Sequence, residues 1–320
     1  MKHILTSTLL LLSICCLSQT PVEKGLSAIT RQDALTYIGV LASDSLEGRK
    51  AGQRGGAKAA SYIASILEDI GIKPWQGKFM HPFIPDIFKG SANKDTRLNN
   101  VLGYIPGKNS AEIVMIGAHY DHLGLSSGNL NDSVYNGADD NASGVSAVLQ
   151  IAKAFVASGQ KPERTVVFAL WDGEEMGLLG SFHFVEEHFS YIPVPLLSPI
   201  PIKGYINCDM IGRNKDGDGA HVSVFYSESK PVFGEWIKSD IERYSLKLVP
   251  DFPSLDSSPG GSDHMPFMQK GVPVIFYNTD LHPDYHKLSD EADKINYDKV
   301  VDITKLSFLN LWNMANLESF

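Results

Sequence analysis

The chain is poor in cysteine, in basic residues and in long apolar stretches, and each shortage excludes a class of protein. Only three of its 320 residues are cysteines, Cys15, Cys16 and Cys208, which rules out a disulfide framework. Its 28 lysines and arginines stand against 37 aspartates and glutamates, so the formal net charge is −9. This acidic balance argues against a nucleic-acid partner, because binding to phosphates needs a basic surface. A hydrophobic fraction of 43% with 20% charged residues argues against disorder and predicts a globular core.

An apolar run at the N-terminus, over residues 4–17, follows a short positively charged start. A run of about a dozen residues is too short to cross a bilayer and is typical of a secretory signal peptide. We predict a signal peptide over residues 1–18 and export of the mature chain to the periplasm, the extracellular space or the cell surface. Lipid attachment at Cys15 or Cys16, which would make a lipoprotein, is the alternative. No later stretch approaches transmembrane length, so we predict no membrane span.

Strand-like and helix-like patterns alternate along the rest of the chain. Apolar runs predict strands, and apolar residues at helical spacing predict the helices between them. The predicted strands are 100–105, 113–118, 165–171, 204–207, 221–226 and 272–277, and the predicted helices are 31–43, 55–70, 143–157, 178–188, 232–244 and 297–314. This alternation predicts an α/β fold with a mixed, mostly parallel central sheet and helices on both faces. We find no dividing linker and predict a single domain over residues 27–320.

Histidines and acidic residues follow the predicted strand ends or precede a predicted helix. In open α/β sheets, functional groups collect beyond the carboxyl ends of the strands. Carboxylates gathered there would repel one another and raise their pKa values, and a pair of divalent cations would remove this repulsion. The sequence therefore predicts a metal site at one edge of the sheet. The residues concerned are His119, Asp121, Asp139, Asp140, Glu174, Glu175, Asp209 and His286.

The residues alone leave the roles of the two adjacent glutamates open. One of Glu174 and Glu175 fits a metal ligand and the other fits proton transfer, in either order. His119 and Asp121 are two residues apart in the strand direction and can share a face. Asp121 can then accept the proton of the ring nitrogen that faces away from a metal, an arrangement that fixes the tautomer of the imidazole.

Seven segments spread over most of the chain resemble the M28 family of zinc peptidases, which includes two-zinc bacterial aminopeptidases. In combination they are a specific signal, although LEGR or SDH alone would be weak. The resemblance implies the mixed α/β fold of these peptidases, similar to phosphorylase/hydrolase folds. The segments are 46–49 (LEGR), 117–122 (GAHYDH), 137–144 (GADDNASG), 174–181 (EEMGLLGS), 207–210 (NCDM), 262–264 (SDH) and 285–286 (YH).

The resemblance also implies a set of five metal ligands. Asp139 would be the carboxylate that bridges two zinc ions, and it would be followed by a cis peptide bond. His119 and Asp209 would complete one site, and Glu175 and His286 would complete the other. This set of nitrogen and oxygen ligands suits two Zn²⁺ per chain, with Co²⁺ or Mn²⁺ as substitutes.

The remaining roles follow from the same resemblance. Glu174 would be the general base, and Asp121 would orient His119. His282, His264 and His122 are competing histidines near the proposed ligands, and we expect none of them to bind metal.

The resulting hypothesis is an exported two-zinc aminopeptidase that removes single residues from the N-termini of peptides. A single-zinc acyltransferase resembling glutaminyl cyclase is one alternative, although all five expected ligands are present here. A carboxypeptidase or another amidohydrolase on the same two-metal site is a second alternative. A non-enzymatic binding module of this fold should have lost ligands or the base, and this chain has kept them. Side-chain preference and oligomeric state are not indicated by the sequence.

Overall fold

The computed structural model describes residues 19–88, 90, 95–128, 133–190, 199–255 and 261–320. The signal peptide that we predict over residues 1–18 lies outside this described part of the chain. Within the described part, no helix combines the length and the apolar character that a membrane span requires.

A large mixed sheet organises the molecule. The described strands are β1 (Lys73–Pro74), β2 (Met80–Phe83), β3 (Leu98–Ile105), β4 (Asn109–His119), β5 (Gly124–Leu125), β6 (Val134–Tyr135), β7 (Arg164–Trp171), β8 (Ile202–Cys208), β9 (His221–Tyr226), β10 (Val249–Asp251) and β11 (Val274–Asn278). Nine of these described strands form one sheet in the order β1-β3-β7-β4-β8-β11-β9-β10, with β2 also paired to β3, while β5 and β6 pair separately. The central strands β7, β4, β8 and β11 run parallel, and antiparallel pairings join β3 to β7 and β9 to β11.

Helices cover this sheet, and their ends carry recognisable signals. The described α-helices are α1 (Pro21–Ser27), α2 (Arg31–Leu41), α3 (Arg54–Ile70), α4 (Gly144–Ser158), α5 (Leu179–His188), α6 (Val232–Arg243), α7 (Met265–Gln269) and α8 (Tyr297–Asn316). Helix α3 ends at Gly71, whose φ of 88° is a left-handed conformation that glycine adopts without steric cost. Helix α8 is capped at its N-terminus by Asn296, whose side chain accepts a hydrogen bond from the backbone N–H of Lys299.

Both faces of the sheet are buried, as strand β7 illustrates. Val166, Phe168 and Leu170 point into a core that includes α3, α4 and α8. Val167 and Trp171 point into a second core that includes α5 and α7. A strand buried on both faces has a continuous apolar sequence rather than an alternating one, because neither face meets water. The predicted mixed α/β fold with helices on both faces is confirmed.

Candidate metal centre and active site

The parallel arrangement brings the carboxyl ends of four strands to one edge of the sheet. His119, the last residue of β4, lies beside Trp171 at the end of β7. Cys208 at the end of β8 lies beside Tyr277 of β11, and Asp209 follows Cys208 directly. The candidate site forms at this edge, where the loops after these strands meet.

One group of donor atoms surrounds His119. Its Nε2 lies 3.2 Å from Oδ1 of Asp209 and 3.4 Å from Oδ1 of Asp140. His119, Asp140 and Asp209 are all buried. Glu174 also places a carboxylate oxygen within 4.8 Å of the ligand atoms of His119 and Asp209. One imidazole and two carboxylates therefore converge on a common point next to Glu174.

A second group of donor atoms surrounds His286. Its Nε2 lies 3.0 Å from Oε2 of Glu175 and 3.2 Å from Oδ2 of Asp140. Asp140 thus directs one carboxylate oxygen toward His119 and the other toward His286. This carboxylate is the one that the two groups share.

The structure corrects the prediction that Asp139 is the bridging carboxylate. Asp139 points away from both groups: its Oδ1 accepts a hydrogen bond of 2.6 Å from the backbone N–H of Gly212, and its Oδ2 lies 3.3 Å from Nε2 of His282. Adjacent residues in this turn face opposite sides, so only one of the two aspartates can reach the shared position. The cis peptide bond is also shifted by one residue, to Asp140–Asn141.

The spacing and chemistry of these donors fit zinc. Two ligand atoms in a tetrahedral zinc site, each about 2.0–2.2 Å from the ion, stand about 3.3–3.6 Å apart. The separations of 3.0–3.4 Å between imidazole nitrogen and carboxylate oxygen in both groups are close to this spacing. One imidazole with two carboxylates is a donor set that suits zinc and that cobalt or manganese also tolerate.

Asp121 supports the site from behind, although by a different contact from the one predicted. Its carboxylate accepts hydrogen bonds from the backbone N–H groups of Glu174 at 3.0 Å and Glu175 at 3.3 Å. Nδ1 of His119 lies 3.2 Å from the backbone carbonyl oxygen of Asp121, closer than the 3.8 Å to its carboxylate. The carbonyl therefore orients the imidazole, while the carboxylate fixes the turn that carries both glutamates.

Two supporting residues contact partners that sequence reasoning did not identify. His122 is buried, and its Nδ1 lies 2.7 Å from Oε1 of Glu175, on the opposite oxygen from His286. Ser262 donates a hydrogen bond of 2.6 Å to Oδ2 of Asp209. Both residues belong to motifs visible in the sequence, GAHYDH and SDH, but nothing in those motifs identifies the distant partner.

Ser262 is one end of a buried hydrogen-bond chain that reaches into the core. Nδ2 of Asn207 donates to Oγ of Ser262 at 2.8 Å. The hydroxyl of Tyr205 donates to Oδ1 of Asn207, and Nε1 of Trp171 donates to that hydroxyl, both at 2.8 Å. A chain of satisfied buried groups holds each member in one orientation, so Asp209 is fixed by the rigid centre of the sheet.

Of the three competing histidines, His122 comes near the shared carboxylate: its Nδ1 lies 3.7 Å from Oδ2 of Asp140, and it forms with Asp140 and Glu175 a group that could hold a metal ion. His282 lies against Asp139, on the side of the turn that faces away from both donor groups. His264 is buried and stacks on Phe276 with ring centroids 4.5 Å apart, and burial lowers its pKa to about 4.

Burial and hydrogen bonds among the acidic residues shift the pKa values of groups in the site. Burial raises the pKa of Glu174 well above its usual range; His119 opposes this shift, and nearby carboxylates add to it. Hydrogen bonds with Asp140 and Glu175 raise the pKa of His286 to about 10. Burial thus favours the protonated form of Glu174, the two carboxylates favour the protonated form of His286, and a metal ion bound by His286 would displace its proton.

A cleft opens over Glu174 and the donor group of His119, Asp140 and Asp209. Apolar side chains form part of its wall, and none of its described lining residues is a lysine or arginine. The described lining residues are His119, Asp140, Glu174, Asp209, Met210, Gly261, Ser262, Phe276, Asn278, Leu281 and Tyr285.

Comparison with known proteins identifies the family. The model of peptidase family M28 matches residues 100–309, which include every residue of the two donor groups. The chain belongs to peptidase family M28. The predicted family is thereby confirmed, and the M28 match extends from β3 to the middle of α8.

Individual M28 relatives show how far the likeness extends. A glutamate carboxypeptidase 2 homolog of Caenorhabditis briggsae is 30% identical over 226 residues, which cover 61% of this chain and 26% of that protein. Aminopeptidase YwaD of Bacillus subtilis is 27% identical over 244 residues, covering 72% of this chain and 48% of the relative. The crystal structure of the Legionella pneumophila LapA aminopeptidase has a TM-score of 0.73 at 22% identity and covers 92% of this chain and 75% of its own. The match thus spans about a quarter to a half of the length of the two curated relatives.

Proposed function

We propose that this M28 chain is an exported zinc-dependent aminopeptidase with two zinc ions bridged by Asp140. His119 and Asp209 would hold one ion together with Asp140, and His286 and Glu175 would hold the other. The observation that carries the proposal is the placement of the two Asp140 oxygens, one within 3.4 Å of each imidazole. Export rests on the apolar N-terminal run in the sequence, with lipid attachment as the alternative route to the cell surface.

The protein's own residues divide the chemistry between them. When bound, two zinc ions supply Lewis acidity, which acidifies water and polarises a peptide carbonyl. Glu174 takes the proton of the attacking water and passes it to the departing amine, because it lines the cleft beside His119 and Asp209. Asp121 keeps Glu174 in place through the backbone N–H of that residue.

The charge of the cleft favours an N-terminal over a C-terminal substrate end. Its described lining includes carboxylates of Asp140, Glu174 and Asp209 but no lysine or arginine. A terminal carboxylate finds no cationic side chain there to receive it, whereas a protonated α-amino group meets no lysine or arginine in the same described lining. This difference supports an aminopeptidase over a carboxypeptidase on the same site.

A matched pair of substrates tests the proposal. We expect the zinc-loaded protein to hydrolyse leucine p-nitroanilide at least about tenfold faster than the N-acetyl derivative, since a lost charge-assisted hydrogen bond costs about 1.5–3 kcal/mol. Initial rates at equal substrate concentration measure this ratio, and removal of metal by a chelator should abolish both rates.

The same panel includes an N-blocked dipeptide with a free C-terminus and a peptide with N-terminal glutamine. Faster hydrolysis of the N-blocked dipeptide would replace the proposal with a carboxypeptidase. Cyclisation of the N-terminal glutamine, with one zinc per chain, would replace it with an acyltransferase.

A further inference from the structure

Arg49 is a fully buried cation whose partners are all backbone carbonyl groups. Its guanidinium makes five hydrogen bonds, and no carboxylate among the described residues lies within ion-pair distance of it. Nε donates to Tyr120 at 2.8 Å, Nη1 donates to Leu41 and Asn136 at 2.6 Å each, and Nη2 donates to Gly137 at 2.9 Å and Asp140 at 3.3 Å. Burying a charge without a counter-ion is costly, so these five carbonyl groups must supply the compensation.

Asp290 is a buried anion that contacts the same turn from its amide side. Its carboxylate accepts hydrogen bonds from the backbone N–H of Asp139 at 3.0 and 3.2 Å and from that of Asp140 at 3.0 Å. Its own carbonyl oxygen accepts a hydrogen bond of 3.1 Å from the N–H of Ala138. The loop that carries His286 is thereby attached to the turn that carries Asp140.

Arg49 and Asp290 therefore bind the same short segment, residues 136–140, one through its carbonyl groups and the other through its N–H groups. Three of its carbonyl groups point to the cation, and three of its N–H groups point to Asp290 or its backbone. We propose that Arg49 and Asp290 form a clamp that positions the Asp140 carboxylate between the two metal-binding groups. This inference rests on the proposed metal site, and it makes Arg49 and Asp290 positioning residues that act through Asp140.

The clamp also sets the distance between ligands that come from different parts of the fold. Arg49 holds the carbonyl of Tyr120, which directly follows His119, together with the carbonyl of Asp140. Burial lowers the pKa of Arg49 to about 10, and the surrounding carboxylates of Asp140, Asp290 and Asp121 oppose this shift. The guanidinium therefore stays charged at neutral pH and offsets repulsion among the acids before metal binds.

Replacing Arg49 by lysine tests the clamp. Arg49→Lys keeps the charge but offers three donors on a single nitrogen instead of five in a planar fork. We expect the Arg49→Lys variant to bind zinc about 10–100-fold more weakly than wild type, a loss typical of changes to residues that support metal ligands. Titration of the metal-free protein with zinc against a chromophoric chelator measures the dissociation constant. Saturating zinc should restore most of the turnover, which a general loss of folded protein would not allow.

Arg164→Lys is the matched control. Arg164 is a buried arginine at the opposite end of the sheet, and it also donates to backbone carbonyls, those of Met314 and Glu318 among them. The same exchange there should change stability without changing zinc affinity. If Arg49→Lys fails to fold by circular dichroism, Asp290→Asn tests the same clamp, because it removes the negative charge from the amide side.

The outcomes separate the clamp from the metal site itself. A zinc affinity within about threefold of wild type in the folded Arg49→Lys protein, or an equal loss in Arg164→Lys, would overturn the clamp and leave the metal site intact. If Arg49→Lys does not fold and Asp290→Asn is measured instead, a wild-type zinc affinity of the Asp290→Asn protein would also overturn the clamp. Wild-type protein that binds no zinc would instead overturn the proposed metal site and the clamp that depends on it.

Discussion

Replacing Glu174 by glutamine should lower kcat for leucine p-nitroanilide by about 10²–10⁴-fold, the range typical of losing a general base, while two zinc ions stay bound. Glutamine keeps the size of the side chain but has no carboxylate to take a proton from water. The ligand atoms of Asp140, Glu175 and both imidazoles are untouched by the change. Steady-state kinetics with metal analysis of the same sample measures both effects.

The adjacent Glu175→Gln variant is the matched comparison for this experiment. Glu175 lies 3.0 Å from Nε2 of His286, so its loss should release one zinc ion and lower activity through metal content. Normal turnover by Glu174→Gln would show that the base is wrongly assigned. Zinc loss from Glu174→Gln together with full zinc retention by Glu175→Gln would show that the two roles are reversed.

Replacing Asp140 by asparagine should remove zinc from both positions. Its two carboxylate oxygens face the two imidazoles at 3.4 and 3.2 Å, and asparagine supplies one neutral oxygen in place of both. We expect zinc affinity to fall by more than the roughly 10–100-fold that is typical when a residue supporting a metal ligand is replaced. Zinc titration of the metal-free variant measures the loss, and hydrolysis should fall with it.

Asp139→Asn is the control for that variant, since it makes the same exchange one residue earlier. The oxygen of asparagine can still accept the hydrogen bond from Gly212 that Asp139 accepts, so zinc content should stay at two. Retention of both ions by Asp140→Asn with loss from Asp139→Asn would restore the bridging assignment that the resemblance implied.

The fold could be predicted from sequence where the signal is local. The continuous apolar run of β7 and the helical spacing in α3 and α8 each reflect burial of that element, and the predicted bounds lie within two residues of the observed ones in β7 and α3. The short strands β1, β5 and β6 have two residues each. Runs of that length contain no periodicity, so their pairing is decided by the rest of the fold.

The candidate site could be predicted only in part, for a related reason. His119, Glu175, Asp209 and His286 lie near one another because they stand at or after the ends of strands that share one edge. Choosing between adjacent aspartates is different, since the direction of each side chain depends on hydrogen bonds from distant residues. Gly212 and Asp290, which form hydrogen bonds with Asp139 in this turn, lie 73 and 151 positions away from it along the chain.

Anomalous diffraction at the zinc edge, from crystals of the zinc-loaded protein, tests the central claim most directly. We expect two peaks per chain, one between His119 and Asp209 and the other between His286 and Glu175. The Asp140 carboxylate should lie between the two peaks, with one oxygen toward each. A single peak, or two peaks that share the carboxylate of Asp139, would contradict a two-zinc site bridged by Asp140.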